Sequence, residues 1–366
     1  MMNSTKRISR RDFLKLGLAG LGASALTPWH SVFAQDEEWP ENMQLARTIA
    51  KLDFKSRPSP DSETLDTVYD DAIVVWEKEV IGDPFPMYPT NRRWIQTPKG
   101  YLPSMMVQPV RYAPNAPMTE LPENDGERGI WAEVTVPYVD FVLENEKPIS
   151  ELLKGNVRYR FYYSQVYWID DIRTSSDGNV YYRAIEKHGS PGDIFWTPAS
   201  AFRPIPQEEL QPIRPDVADK KVVIDLSRQT LACYEGNTEV RFCRISSGAK
   251  YDAYGNPVEK WSTPLGDNHV INRKYVALHM AGGSSASGYE LLSVDWTCIF
   301  ASGGVAIHST YWHNNYGEPM SHGCVNASPE DAKFVYLWSN PAVPYTEGKI
   351  EVSGYDLGTK VQVIEA

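Results

Sequence analysis

The sequence predicts a mainly β protein, and three observations favour this class. Aromatic residues make up 12% of the 366 residues. They alternate with β-branched residues in short runs such as "WAEVTVPYVDFVL" at 131–143, as expected of strands with one buried face. The 27 prolines and 25 glycines interrupt these runs, which favours short strands and turns over long helices. The length predicts two or three domains.

Residues 1–34 are predicted to be an export signal outside the fold. A basic start precedes an apolar run from Phe13 to Leu26, and small residues precede a cleavage site after Ala34. The stretch "SRRDFLK" at 9–15 resembles a twin-arginine signal, which implies export of an already folded protein. An ordinary secretory signal or a retained anchor is the alternative. The predicted location is therefore the cell envelope, as cell wall or periplasmic space, with a membrane tether if the signal stays uncleaved.

Residues 35–68 are predicted to be a linker that contains one short helix, "ENMQLARTIAKLDF" at 41–54. Residues 69–210 are predicted to be β-rich. Two stretches in this region, "GYLPSMMVQPV" and "IFWTPASAFRPI", share an aromatic residue, a proline, a small residue and then a proline-bearing strand. The pair suggests two small related barrels, similar to bacterial SH3-like wall-associated modules. One irregular β domain is the alternative.

Residues 218–366 are predicted to form a separate domain, because the strand pattern sharpens there. "KKVVIDLS" and "QTLACYEG" indicate a hairpin, and "KIEVSGYDLGTKVQVIEA" supplies two closing strands. A short helix is predicted to begin after Ser328 and to end near residue 339. Ser328 suits the N-cap, Pro329 suits the first helical position, and Asp331 lies three residues after the cap.

Charge and cysteine content limit the functions that the chain can have. The formal net charge of −11 argues against nucleic acid, whose phosphates require Lys and Arg. Across a Gly236-Asn237 turn, Cys233 is predicted to lie opposite Val240 and not opposite Cys243, so a disulfide between these two cysteines is not favoured. The chain has four cysteines: Cys233, Cys243, Cys298 and Cys324. With Cys324 reserved for chemistry, an odd number remains, which argues against a disulfide framework.

The stretch "PMSHGCVNASPED" at 319–331 surrounds Cys324 with polar residues that are typical of a reactive thiol. A catalytic cysteine needs a lowered pKa or a nearby base, and His308, His313 and His322 are the candidate bases. The predicted helix would place a positive dipole end near the thiol. Gly323 would allow a tight turn that presents backbone N–H groups to a reacting carbonyl. Together these features predict an acyl-transfer site.

The same residues allow two other interpretations. Three histidines and a cysteine could bind zinc, although the sequence contains neither HExxH nor CxxC. Cys324 could also be a buried structural thiol.

The stretch "HSTYWHNNYGEPMSHGCVNASPEDA" from His308 to Ala332 resembles the signature of the L,D-transpeptidase family, whose catalytic domain is called YkuD. The family pattern is a His, a variable insert, then Ser/Thr-His-Gly-Cys and, two residues on, Asn or Arg. "KKVVIDLSRQTLACYEG", "ISSGAKYDAYGNPVEKWSTPLG" and "HM" at 279–280 are similar to further family segments in the same order. The resemblance covers residues 218–366, does not cover 35–210, and implies a β-sandwich with a short helix after the catalytic cysteine.

The resemblance implies a role for each matching position. Cys324 matches the nucleophile and His308 the general base and acid. The Ser309 carbonyl would hold the His308 imidazole in its reactive tautomer. His322 and Gly323 would line the site, and the amides around residues 322–324 would form the oxyanion hole. The remaining matches are substrate or loop contacts, namely Ser321, Asn326, Tyr289 and Met280.

The implied function is peptidoglycan L,D-transpeptidation, in which a cysteine acyltransferase forms 3→3 cross-links through a thioester. An L,D-carboxypeptidase on the same stem peptides and a catalytically silent wall-binding protein are the alternatives. The expected partners are peptidoglycan stem peptides, with carbapenems as inhibitors and no nucleic acid. No metal and no organic cofactor is expected, because a thiol, an imidazole and backbone amides suffice.

Overall fold

The computed structural model describes residues 39–41, 43–85, 88–155, 158–251, 256–258, 261–282, 288–353 and 357–365. The predicted export signal at 1–34 lies outside these residues. In the described residues, strands dominate and helices are few and short, so the predicted mainly β class is confirmed. No helix in this described part of the chain is both long and apolar enough to cross a membrane.

The first unit of the fold spans residues 45–110 and forms two small sheets, of strand order β4-β1-β8 and β3-β2-β7-β6-β5. Its apolar core includes Phe54, Ile95 and Leu102. The strands are β1 (Leu45–Thr48), β2 (Leu52–Lys55), β3 (Thr64–Val68), β4 (Ile73–Val75), β5 (Lys78–Ile81), β6 (Arg93–Thr97), β7 (Gly100–Pro103) and β8 (Val107–Val110).

The predicted helix at 41–54 is wrong, because this segment forms β1 and β2. Its apolar residues are spaced so that they fit a helix face, but long-range pairing of β1 with β4 and β8 decides the conformation. Residues 35–68, predicted as a linker, therefore supply strands to the first unit.

The second unit spans residues 123–205 and surrounds an aromatic core that includes Trp131, Phe161 and Phe195. Its main sheet has the order β13-β17-β16-β15-β11-β18. The elements are β9 (Glu123–Asn124), β10 (Glu127–Arg128), β11 (Ile130–Val134), β12 (Tyr138–Asp140), β13 (Val142–Leu143), α1 (Glu151–Lys154), β14 (Arg160–Tyr162), β15 (Val166–Thr174), β16 (Val180–Ile185), β17 (Ile194–Pro198) and β18 (Phe202–Ile205).

The two similar stretches of the sequence have similar structures. In each, a strand ends in proline, one 3-10 turn follows, and a further strand returns. The turns are Ser104–Met106 in the first unit and Ala199–Ala201 in the second. Two related β units fit this repetition better than one irregular domain does.

The third unit forms two five-stranded sheets, of order β21-β20-β19-β28-β22 and β26-β25-β24-β23-β27. Ile224 and Leu231 of one sheet share a core with Val276 and Trp296 of the other. The elements are β19 (Lys220–Asp225), β20 (Thr230–Glu235), β21 (Thr238–Arg244), β22 (Gly266–Val270), β23 (Arg273–Gly282), β24 (Tyr289–Ile299), β25 (Ala306–Ser309), β26 (Val325–Ala327), α2 (Pro329–Trp338), β27 (Lys349–Glu351) and β28 (Lys360–Ile364).

The helix predicted after Ser328 is confirmed as α2. Ser328 is its N-cap, and the Ser328 hydroxyl oxygen accepts the backbone N–H of Asp331 at 3.2 Å. Pro329 occupies the first turn, where its missing N–H costs nothing. The helix buries Val335 and Trp338 against the core.

The predicted hairpin of β19 and β20 is confirmed, but the partner predicted for Cys233 is wrong. Cys233 pairs with Arg241, while Tyr234 pairs with Glu239. Val240 is therefore the extra residue of a β-bulge, which shifts the register by one. Cys233, Cys243 and Cys298 are buried free thiols.

Candidate functional site

Strand register places His308 and Cys324 on one face of the sheet. Parallel strands β25 and β26 pair His308 with Asn326, so these two side chains leave the sheet on the same side. Cys324 lies two residues before Asn326, and side chains two residues apart in an extended chain share a face. Fifteen residues, 309–323, separate His308 from Cys324 in sequence, and the pairing of β25 with β26 brings the two ends of this segment together.

One cavity of about 300 Å³ contains these three side chains. Of the nine predicted site residues, seven line it, while Ser309 and Gly323 support it from behind. The lining consists of Met280, Tyr289, Leu291, His308, Trp312, Met320, Ser321, His322, Cys324 and Asn326. Sequence reasoning missed Leu291, Trp312 and Met320. No pattern marks them, because two lie in the polar insert and one in a strand that reads as ordinary core.

A larger cavity of about 410 Å³ lies behind this site, between Arg111, Ser164 and the start of α2. Neither His308 nor Cys324 lines it. The smaller cavity, which contains both of these predicted residues, is therefore the candidate active site.

The imidazole of His308 is held in one tautomer. It is buried, and its Nδ1–H donates to the carbonyl oxygen of Ser309 at 2.8 Å. The other ring nitrogen, Nε2, therefore carries the lone pair. Burial lowers the pKa of His308 to about 4, and the Ser309 hydrogen bond opposes this only in part. At neutral pH the ring is an uncharged base.

The thiol of Cys324 is not preactivated. Burial raises its pKa, and only the backbone N–H of Ala306 acts in the opposite direction. Burial has the largest effect on this pKa, and a contribution from the positive dipole end of α2 stays a prediction. Helix-end effects fall off within the first turn, and Cys324 lies four residues before the N-cap. A thiol of this kind depends on a neighbouring base.

The turn that carries Cys324 is closed by its own side chains. The Ser321 hydroxyl accepts the N–H of Gly323 at 3.1 Å and donates to the carbonyl oxygen of Cys324. Gly323 has φ of 123°, a conformation that L side chains rarely adopt. Because the Gly323 amide is already engaged, it is not available as a predicted oxyanion donor. Ser321 supports the turn in addition to lining the cavity.

The "S-x-G" and "T-P-x-G" segments meet beneath this turn. The Thr263 hydroxyl accepts the N–H of Gly248 and donates to the carbonyl oxygen of Gly323, both at 2.9 Å. A Cβ on Gly248 would lie 1.8 Å from the carbonyl oxygen of Trp261, so only glycine fits there. These two distant segments brace the turn of Cys324.

The ring of His322 packs between two aromatic rings. Its centroid lies 4.1 Å from Trp261 and 5.1 Å from Tyr289. Burial raises the pKa of Tyr289, and the nearby Cys324 adds to this effect. His322 is thus a wall of the cavity.

His313 lies next to the site and was predicted only as a possible base or zinc ligand. Its Nδ1 accepts the backbone N–H of Asn315 at 3.1 Å, and its Nε2 lies 2.8 Å from Nδ2 of Asn326. Within the described residues, no three His, Cys, Asp or Glu side chains are placed to hold a metal ion.

The comparisons with known proteins find similarity to L,D-transpeptidases. Residues 219–363 match the family model YkuD, the L,D-transpeptidase catalytic domain. A relative, L,D-transpeptidase 2 of Mycobacterium tuberculosis (strain CDC 1551 / Oshkosh), is 27% identical over 121 residues, covering 30% of this chain. The chain spans only 28% of that protein's length.

Two solved structures are also similar. An L,D-transpeptidase from Mycobacterium smegmatis is 18% identical, with a TM-score of 0.31, and the alignment covers 53% of this chain and 98% of that one. The catalytic domain of the E. faecium L,D-transpeptidase is 24% identical, with a TM-score of 0.29, covering 40% and 98%.

Proposed function

We propose, from the match of residues 219–363 to the L,D-transpeptidase catalytic domain, that this chain forms 3→3 cross-links in peptidoglycan through a thioester on Cys324. The family match supports an acyl-transferring enzyme of the cell wall. The observation that carries the finer proposal is that the Cys324 thiol and the His308 imidazole line one cavity from the same face of paired strands.

The proposed reaction begins with a proton transfer. Nε2 of His308 takes the thiol proton as the sulfur attacks the carbonyl carbon of the third stem residue. The C–N bond to the terminal D-alanine then breaks, and the imidazolium gives its proton to the leaving amine. The amine of a neighbouring stem attacks the thioester, the new amide forms, and the thiol is restored.

The electrostatics of the site support a neutral resting pair. The thiol pKa is raised and the pKa of His308 is lowered to about 4, both by burial. Neither group is then charged before substrate binds, so the site holds no buried ion without a partner. The proton moves only when attack on the carbonyl consumes the developing thiolate. Neither a metal nor an organic cofactor is needed for these steps.

The walls of the cavity support a peptide substrate that has both apolar and polar parts. Met280, Leu291 and Trp312 are apolar, while Tyr289 and Asn326 add polar groups. A volume of about 300 Å³ accommodates a few residues, since ligand sites of this type begin at about this size. A stem peptide would lie across the cavity with its third carbonyl at Cys324.

The decisive experiment is incubation of the purified protein with a disaccharide-tetrapeptide, followed by mass spectrometry. We expect a cross-linked dimer, released D-alanine and an acyl adduct on Cys324. Cys324→Ala should abolish all three and leave the circular dichroism spectrum unchanged. Turnover in Cys324→Ala, or an adduct on another residue, would sink the mechanism.

The same experiment separates the alternatives. Tripeptide without dimer identifies an L,D-carboxypeptidase that uses water as acceptor. No product and no adduct identifies a catalytically silent wall-binding protein. Carbapenems are proposed as inhibitors that acylate Cys324, since the family resemblance implies this reaction.

The location in the cell envelope is proposed on the sequence of residues 1–34 alone. Replacing both Arg10 and Arg11 by Lys should retain the protein in the cytoplasm if export uses the twin-arginine route, as cell fractionation would reveal. Unchanged export would assign the segment to the general secretory route.

A further inference from the structure

The side-chain amide of Asn326 has hydrogen-bond contacts that do not fit its orientation. Nδ2 of Asn326 lies 2.8 Å from Nε2 of His313, while Oδ1 of Asn326 is buried with no hydrogen-bond partner. A buried carbonyl oxygen without a donor is costly. One end of this amide thus faces a ring nitrogen, and the other faces none of the donors among the described residues.

The tautomer of His313 decides which end of the amide belongs there. Nδ1 lies 3.1 Å from the backbone N–H of Asn315, and a backbone N–H can only donate. Nδ1 must therefore carry the lone pair. A neutral imidazole has one lone-pair nitrogen and one N–H, so Nε2 carries the hydrogen. The ring is neutral at physiological pH, because burial, assisted by His308, lowers its pKa to about 3.

Nε2–H and an NH₂ group are both donors and cannot bond to each other. Rotating the Asn326 amide by half a turn about its last torsion resolves the conflict, because the two ends have nearly the same shape. Oδ1 then accepts Nε2–H of His313 and is no longer orphaned. The NH₂ group then takes the buried position that Oδ1 held, on a side chain that lines the cavity beside Cys324.

We infer that His313 is a positioning residue, which fixes the orientation of the Asn326 amide in the wall of the cavity that contains Cys324 and so supports acylation of Cys324. This inference rests on the proposed function. Asn326 shares a face with His308 and Cys324, so the orientation of its amide bears on the groups proposed to react. Both backbone groups of Asn326 bond to Ser246, which leaves the side chain as its adjustable part.

Two substitutions of His313 separate this role from a structural one. In His313→Gln the side-chain NH₂ lies where Nε2–H was, so the donor to Asn326 is kept. In His313→Asn the oxygen lies where Nδ1 was, so the acceptor for Asn315 N–H is kept and the donor is lost. We expect His313→Gln to retain most of the rate of Cys324 acylation by a carbapenem, and His313→Asn to lose roughly tenfold. The opposite order would assign His313 to holding its own loop and overturn the proposal.

A double-mutant cycle tests the route through Asn326. In an Asn326→Ala background, His313→Asn should cause no further loss, because there is no amide left to orient. Additive losses would contradict the proposal. ¹⁵N NMR of the unreacted protein provides a readout that needs no activity, since it reports the tautomer directly. A proton on Nδ1 of His313 would refute the proposal, whereas a wild-type protein that is never acylated would refute only the proposed function.

Discussion

The His308 imidazole and the Cys324 thiol are both uncharged at rest, because burial lowers the pKa of the first to about 4 and raises that of the second. A thiolate–imidazolium pair would require the reverse order of the two pKa values. In the proposed reaction the pair therefore acts as a base and an acid that exchange a proton during attack. The rate of Cys324 acylation should therefore depend on pH through the protonation of His308.

We predict that acylation of Cys324 is fast at neutral pH and declines only as pH falls toward about 4, where His308 becomes protonated. His308→Gln should lower the rate at neutral pH by about 10²–10⁴-fold. Its residual rate should rise with pH until the raised pKa of the thiol is reached, because only free thiolate then reacts. Rates measured by mass spectrometry across the pH range would show this. An acidic limb centred near the ordinary histidine pKa would contradict the neutral pair.

At the scale of residues, the candidate pair could be identified from the sequence, but its surroundings could not. Cys324 and His308 belong to a spaced motif, and spacing is visible in a sequence. The position of Trp312 and the orientation of the Asn326 amide depend on contacts between the insert and the strands, namely Trp312 with His308 and His313 with Asn326. Those contacts depend on how a polar loop folds, and no periodicity predicts that. The raised pKa of the thiol was not predictable either, because it comes from burial, which no motif records.

The strands that form the wall of the cavity are joined by a buried ion cluster. His279 on β23 contacts Glu186 at 2.9 Å and Glu290 of β24 at 3.0 Å. Burial alone would lower the pKa of His279, but the hydrogen bonds and charges of the two carboxylates outweigh it and raise the pKa. The neighbours of this cluster in sequence, Met280 and Tyr289, line the cavity.

We predict that His279→Gln destabilises the protein most at low pH. Because the pKa of His279 is raised in the folded protein, its protonation stabilises the fold. This stabilisation is complete below the unfolded-state pKa of about 6.5 and is lost as pH rises through the folded-state pKa. The free energy of unfolding of wild type minus variant should therefore shrink as pH increases. Urea unfolding from about pH 5 to about pH 9 measures this difference. A difference that grows with pH would show that His279 is buried neutral.

Side chains of the first unit form hydrogen bonds to the insert between His308 and Cys324. Nη2 of Arg47 donates to the carbonyl oxygen of Tyr311 at 2.7 Å, and its Nη1 pairs with the buried carboxylate of Asp71 at 2.6 Å. Arg93 donates to the carbonyl oxygen of Asn314 at 3.0 Å. Backbone groups of the insert are thus satisfied by side chains more than two hundred residues away in sequence.

We predict that Arg47→Met destabilises the protein by about 3 kcal/mol, because it leaves a buried carboxylate with fewer partners, and also slows acylation of Cys324. Arg92→Met is the matched control. Arg92 belongs to the same unit but is exposed and donates to Gly82 within it, so its removal should change stability by at most about 0.5 kcal/mol. Equal effects of the two substitutions on acylation would contradict a specific role of Arg47. Thermal unfolding and mass spectrometry provide the two measurements.

Elements with local signals were predictable, whereas elements decided by long-range pairing were not. The cap at Ser328 and the hairpin of β19 and β20 are encoded within a few residues each. The strands β1 and β2 are each four residues long. Such short strands show too little alternation of apolar and polar residues to be distinguished from a helix, whose spacing their apolar residues also fit. The bulge at Val240 likewise has no marker in the sequence.

At the scale of the whole molecule, the first unit has two candidate roles. The sequence suggests that residues 35–210 position the catalytic domain on the cell wall, and this remains a proposal. The contacts of Arg47, Arg93 and Asn91 with the 310–320 insert support a second role in ordering the active site. Only the second role should affect the rate at which a soluble substrate acylates Cys324.

We predict that removing residues 39–110 lowers the acylation rate of Cys324 by a soluble carbapenem, because the insert loses its hydrogen-bond partners and Trp312 is no longer fixed beside His308. A wall tether would not affect a substrate that is free in solution. Sacculus binding, measured in parallel by co-sedimentation, reports the tether separately. Unchanged acylation with reduced sacculus binding would assign the first unit to the wall alone. Reduced acylation together with unchanged sacculus binding would instead make it an integral part of the catalytic structure.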